Sequence, residues 1–219
     1  MFSFCRSLVF FCAVFLASQP LFAADAPSGG QVLLPALDVA PDVLIRAVTE
    51  EVIAIIKDNQ ASLSSAEGQK MVAKLIEDKV APHFDFTAMT KLAVGRYWRD
   101  ATEDERRMLT EEFRRLLVRT YAQVLLSFRD STVVFKPLRM APDATDVIVR
   151  LELKQGGVSP IAITLAMEKS AMGWKIYDVT VDLVSLVTTY RGSFASKIRE
   201  SGIEGLIREL SDKNRQLGR

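Results

Sequence analysis

The stretch that decides the fold reads VAPHFDFTAMTKLAVGRYWRDAT, residues 80–102. Pro82 breaks a helix, because its ring clashes with the preceding turn and it has no N–H to donate. Phe84 and Phe86 follow as an aromatic pair. Met89, Leu92 and Ala93 predict a short apolar helix that stops at Gly95, and Arg96, Tyr97, Trp98 and Arg99 come next. Thr102 and Glu105 have the spacing of a capping box, which predicts the start of another helix. No residue here has the setting of a nucleophile, a metal cluster or a phosphate loop. The stretch reads as a hinge of packed aromatics between helices.

Downstream, the spacing predicts a helix over 103–128. Its apolar stripe is Leu109, Phe113, Leu116, Leu117, Tyr121, Val124, Leu125 and Phe128, at steps of three and four apart from adjacent pairs. Glu105, Arg106, Glu111, Arg114, Arg115 and Arg119 form a solvated face, with pairs such as Glu111 and Arg115 one turn apart. Near Ser131 the period changes to that of strands. Thr132-Val133-Val134-Phe135-Lys136 is one strand. Val147, Val149, Leu151 and Leu153 share a face of the next. Gln155-Gly156-Gly157 turns the chain into a strand carrying Ile161, Ile163, Leu165 and Met167. Ala171-Met172-Gly173 turns it back through residues 174–181. Short connections make these four strands antiparallel neighbours. Ser185 can then cap a helix carrying Leu186, Val187, Tyr190, Phe194 and Ile198. Gly202 ends it, and a last short helix runs over 203–210. The fold class is α+β, with helices covering the apolar face of a four-stranded antiparallel sheet.

Upstream, Pro41 suits the first position of a helix with Leu44, Val48, Val52, Ile55 and Ile56 on one face. Ser64 and Glu67 have the spacing that would cap a second helix, whose apolar face is Met71, Val72, Leu75, Ile76 and Val80 and which Pro82 ends. Residues 1–23 read as a cleaved secretory signal. Arg6 precedes an apolar run, 8–17, that is too short to span a bilayer, and Leu21-Phe22-Ala23 suits a signal peptidase. Residues 24–40 read as a flexible leader, 41–213 as the domain and 214–219 as a polar tail.

Composition excludes several functions. The 219 residues are 49% hydrophobic with a mean hydropathy of +0.15. Both cysteines, Cys5 and Cys12, fall in the signal, so the exported chain has no thiol for a disulfide or metal. His83 is the only histidine, which removes histidine-rich metal sites and any triad built on another imidazole. Without Arg6, 27 basic residues balance 27 acidic ones. That balance does not suit nucleic acid. No Gly-rich loop with Lys-Ser/Thr offers a nucleotide site. His83 reads as a packed or capping residue. Asp85, Asp178 and Asp182 are candidate acid/base groups, and Arg96, Arg99 and Arg191 are candidates for an anionic head group or partner. The amphipathic helices offer more apolar face than one small core needs, which leaves room for a greasy cavity.

The chain resembles the MlaC family, also called the toluene-tolerance auxiliary family, of periplasmic phospholipid-binding proteins. The resemblance rests on the 80–102 stretch, on Phe113-Arg114-Arg115-Leu116-Leu117 and Thr120-Tyr121, and on Gly173-Trp174-Lys175-Ile176-Tyr177-Asp178. It continues in Val184-Ser185-Leu186, Tyr190-Arg191, Phe194 and Gly202-Ile203-Glu204-Gly205-Leu206. One departure is Asp182-Leu183-Val184-Ser185, which puts leucine at the glycine of a Glu-Gly-Val-Ser-type step and bears on the local turn and the pocket mouth.

The resemblance implies a nuclear-transport-factor-like cone with a deep apolar pocket for phospholipid tails, no cofactor and no catalysis. It implies as partners an inner-membrane ABC transporter bearing a mammalian-cell-entry domain ring and an outer-membrane lipoprotein–porin complex. The function implied is periplasmic lipid shuttling by a monomer, which keeps the outer membrane asymmetric. With the cavity supplied by the resemblance, periodicity selects its wall: Phe113, Leu117, Tyr121 and Leu125 on the long helix, and Val149, Leu151, Ile163, Leu165 and Ile176 on the sheet. Trp98 and Val184 stand at the ends. Two alternatives stay open: an adaptor or chaperone with an apolar groove, and a cone-fold enzyme using Asp178 or Asp85.

Overall fold

The structure is a computed structural model that describes residues 39–63, 65–127 and 131–217, with the backbone alone at 62, 66 and 123–127. These residues all belong to one compact unit, Leu34–Arg219. The expected signal, and nearly all of the expected leader, lie outside the described residues.

Helix α1 (Pro41–Asp58) starts at Pro41 as expected and buries Ile45, Val52 and Ile56. Helix α2 (Ala66–Leu75) is capped by Ser65, whose Oγ accepts from the Gly68 N–H at 3.0 Å. The expected cap at Ser64 is therefore displaced by one residue. The expected end at Pro82 is also corrected. The regular helix stops at Leu75 and widens into a π turn, Ile76–Val80, where the Ala81 N–H reaches back to the Ile76 carbonyl. A 3₁₀ turn, Ala81–His83, then holds Pro82 near its start, where a missing N–H costs least.

Phe84 is extended and bridges to Ile176 of the sheet, with the Asp85 N–H donating to the Ile176 carbonyl at 2.8 Å. Asp85 caps α3 (Phe86–Val94) by accepting from the Ala88 N–H at 2.8 Å. Gly95, at φ +64°, ends α3 in a conformation that favours glycine. The Thr102–Glu105 box forms as expected. Glu105 accepts from the Thr102 N–H at 2.8 Å, and Thr102 Oγ1 accepts from the Glu105 N–H at 3.2 Å. It opens α4 (Glu103–Ser127), and Glu111 and Arg115 pair on its outer face.

The sheet is an antiparallel meander in the order β1 (Thr132–Phe135), β2 (Asp146–Lys154), β3 (Ile161–Ser170), β4 (Gly173–Val181) and β5 (Val184–Ser185). The four expected strands are present, and the two-residue β5 adds a fifth. Asp182 and Leu183 both have positive φ, 45° and 70°, between Val181 and Val184, which pair. That is the signature of the primed turns that match strand twist. A β-bulge interrupts β4: Met167 pairs with Ile176 but Ala166 with Asp178, which leaves Tyr177 as the extra residue. Helix α5 (Leu186–Leu217) breaks at Ser201–Gly202, where Gly202 has φ 72°. The break falls where the sequence puts it, but the second limb runs beyond 210 and 213 to Leu217. Asn214 is the reason: it is buried and donates to the Glu112 carbonyl at 2.8 Å, which ties the tail to α4.

Three apolar clusters hold the fold. One joins α3, α4 and α5 around Phe113, which makes edge-on ring contacts with Tyr190 and Phe194. A second lies between the sheet and α1, and a third among α1, α2 and α4.

Candidate functional site

A cavity of about 580 Å³ lies between the sheet's apolar face and the helices. Helix α1 contributes Val48, Val52 and Ile56, and α4 contributes Leu117, Val118, Tyr121 and Ala122. The π turn, the 3₁₀ turn and α3 close one side with Ile76, His83, Phe84 and Met89, and the sheet forms the floor. Among the described residues of its wall none is Asp, Glu, Lys or Arg, and the polar side chains are Thr49, His83, Tyr121 and Thr189. Only Val184 and Thr189 of these wall residues are exposed, which places the opening beside the β4–β5 hairpin and the first turn of α5.

Of the residues expected at the site, Leu117, Tyr121, Leu151, Ile163, Leu165, Ile176 and Val184 line the cavity. Phe113, Val149 and Trp98 do not, and Leu125 lies outside the described side chains. Phe113 points from α4 toward α3 and α5 and is fully buried in that cluster. The α4 stripe is wide enough that one edge builds core while the other, a turn later, faces the cavity. Val149 shares its face with Leu151, but the ends of β2–β4 around Val147, Met167 and Trp174 are packed solid. Trp98 packs on the helical cluster, and its carbonyl accepts from Arg106 Nε at 3.1 Å.

The periodicity misses two wall groups. Val179 and Val181 reach the cavity because the Tyr177 bulge flips the parity of β4 after Ile176. The flip leaves a trace in the sequence, where the apolar positions step from Trp174 and Ile176 to Val179 and Val181. The inner face of α1 is legible as an apolar stripe, but not as a cavity wall rather than core.

The polar candidates have structural roles. Asp178 accepts from Ser185 Oγ at 2.7 Å and from the Val187 N–H at 3.3 Å, at the start of α5. Asp182 Oδ1 accepts from the Ala162 N–H at 3.0 Å. Arg191 donates twice to the Leu92 carbonyl, at 3.0 and 2.9 Å, near the end of α3. Arg96 lies over the Tyr97 ring. His83 faces the cavity, and burial, with help from the Lys175 charge, lowers its pKa below the ordinary 6.5. Burial and the neighbouring Tyr121 push the Tyr190 phenol, which packs on the helical cluster, up to about 12. Among the described residues no cluster of three or more His, Cys, Asp or Glu could hold a metal. No described helix is long and apolar enough to cross a membrane.

An α+β unit with an apolar cavity between its sheet and its helices, whose described wall residues include no Asp, Glu, Lys or Arg, defines a hydrophobic-ligand-binding class of protein. The model of the MlaC protein family matches residues 46–212, and the chain belongs to that family. It is 19% identical over 182 residues to the intermembrane phospholipid transport system binding protein MlaC of Haemophilus influenzae, covering 82% of this chain and 84% of that one. It is 25% identical over 174 residues to the toluene tolerance protein ttg2D of Pseudomonas putida, covering 77% and 79%. The solved phospholipid-binding protein of Ralstonia solanacearum, in complex with a phospholipid, superposes with a TM-score of 0.74 at 34% identity. That match covers 83% of this chain and all of the other.

Proposed function

We propose that this protein is a periplasmic phospholipid carrier. The observation that carries the reading is the cavity of about 580 Å³ between sheet and helices, open beside Val184 and without Asp, Glu, Lys or Arg among its described wall residues. Its volume lies within the range of ligand pockets, roughly 300–1,000 Å³. The Ralstonia relative holding a phospholipid and the Haemophilus relative named for phospholipid transport support the same cargo.

The physics favours a carrier. Two acyl chains hold about 30 methylenes, and removing each from water is worth about 0.8 kcal/mol. The sum, roughly 25 kcal/mol, exceeds the ceiling of ordinary affinities, about 18–21 kcal/mol. A free lipid therefore does not cross water at a useful rate. The useful competition is between cavity and bilayer, and near-balance lets a docked partner tip transfer either way. In this reading Leu117, Tyr121, Leu151, Ile163, Leu165 and Ile176 hold the tails, and Val184 stands at the mouth with the head group outside. Residues 1–23 direct export and are removed. The loaded monomer shuttles between the outer-membrane lipoprotein–porin complex and the inner-membrane ABC transporter with its mammalian-cell-entry ring, and so maintains outer-membrane asymmetry.

The test is extraction of fluorescent phospholipid from vesicles by delipidated protein, compared with Ile163→Asp. Stoichiometric extraction that Ile163→Asp abolishes while still folded supports the reading. Equal extraction by both proteins sinks the cavity assignment.

A further inference from the structure

The β4–β5 hairpin ends in two apolar side chains that face water. Leu183 is 96% exposed and Val184 62% exposed. Leu183 holds φ 70°, a conformation that L side chains rarely adopt and that Gly or Asn fills with less strain. The turn is pinned to its neighbour: the Asp182 N–H donates to the Ala162 carbonyl at 2.9 Å, and Asp182 Oδ1 accepts from the Ala162 N–H at 3.0 Å. The tip is thus held outward by the edge of β3. Val184 is also a wall residue of the cavity, paired with Val181, another wall residue. An apolar path therefore runs from the cavity floor through Val181 and Val184 to Leu183, and the one charged side chain of the turn, Asp182, is bound back onto the Ala162 N–H.

We infer that the tip formed by Leu183 and Val184 is a bilayer-contact site, which seats the cavity mouth on a lipid surface so that an acyl chain passes along this path. The inference rests on the carrier reading for its purpose. The size of the patch argues for a bilayer over a protein. Two side chains offer far less than the roughly 1,200–2,000 Å² that a stable protein interface buries. They suit shallow insertion, in which each apolar group moves from water to hydrocarbon independently of shape. No Lys or Arg stands in the 180–190 segment, so zwitterionic lipid suffices.

The experiment places an environment-sensitive fluorophore on Leu183→Cys in the exported protein without residues 1–23, which has no other cysteine. The control carries the label on Met172→Cys. Met172 is 77% exposed and sits at the hairpin on the opposite end of β4. With phosphatidylcholine vesicles, the label at 183 shifts to the blue and is quenched by spin-labelled lipid tails, while the label at 172 stays in water. In parallel, Leu183→Asn keeps a residue that tolerates the turn, retains bound phospholipid and slows its transfer to vesicles about tenfold, the scale of losing one leucine contact. No blue shift at 183, equal shifts at both sites, or an unchanged transfer rate in Leu183→Asn each overturns the inference. A protein whose label inserts at 183 but which takes up no phospholipid overturns the carrier reading instead.

Discussion

The Ser185 hydroxyl donates to Oδ2 of Asp178 at 2.7 Å, joining the strand just after the β4 bulge to the residue that immediately precedes α5. The same Ser185 Oγ accepts from the Thr188 N–H at 3.1 Å, and Asp178 Oδ1 accepts from the Val187 N–H at 3.3 Å. One carboxylate and one hydroxyl thus satisfy free N–H groups of α5 beside the cavity mouth. Asp178→Ala is expected to lower stability by about 1–3 kcal/mol, since it orphans a partly buried hydroxyl and a backbone donor. Thermal melting measures this, and Asp178→Asn should recover part of the loss.

Placing a charge on the cavity wall should empty it without unfolding the chain. Ile163 is only half-buried and faces open cavity, so Ile163→Asp can keep its carboxylate hydrated while spoiling the site for hydrocarbon. Bound lipid should fall at least about tenfold with the circular dichroism unchanged. Leu117→Asp should also abolish carriage, but Leu117 is buried as well as lining the cavity, so its melting temperature should fall too.

His83 gives the fold a pH dependence with a definite sign. Burial holds its folded pKa below 6.5, so between the two values the unfolded chain binds more protons. Stability contributed by the neutral imidazole is complete above 6.5, declines as the pH falls through the window below it, and levels off under the folded value. Glu168 acts oppositely. Burial and the neighbouring Asp85 and Asp146 raise its pKa above 4.5, so stability is lost as the pH rises from 4.5 through the folded value. Urea unfolding from pH 4 to 8 should show His83→Gln flattening the first slope and Glu168→Gln the second.

Gly205 packs against the α5 break. A Cβ added there would sit 2.0 Å from Ser201 Oγ and 2.5 Å from Ser201 Cβ. Gly205→Ala is expected to cost about 1–3 kcal/mol by overpacking. Adding Ser201→Gly removes both clashing atoms and should restore much of the melting temperature. A double variant no better than the single one would show that the cost lies elsewhere.

Much of this architecture is legible in the residues because local chemistry dictates it. The Thr102–Glu105 box, the Ser185 cap, Gly202 and the 3.6-residue stripe of α4 each make their own element. What the residues hide depends on partners far along the chain. Tyr177 becomes the extra residue only when β4 pairs with β3, and the step of the apolar positions from Ile176 to Val179 is the one local trace of it. Phe113 and Leu117 look equivalent on one stripe, yet α3 and α5 cover the first and the cavity meets the second. The π turn at Ile76–Val80 accommodates Pro82 by local widening that no propensity encodes.

The most direct measurement is native mass spectrometry of the protein as isolated from the periplasm, followed by solvent extraction of what it carries. The carrier reading predicts one phospholipid on each chain, lost in Ile163→Asp. An empty protein that also takes no lipid from vesicles would contradict it, and the wall built by Leu117, Ile163 and Leu165 would then be a void in an ordinary core.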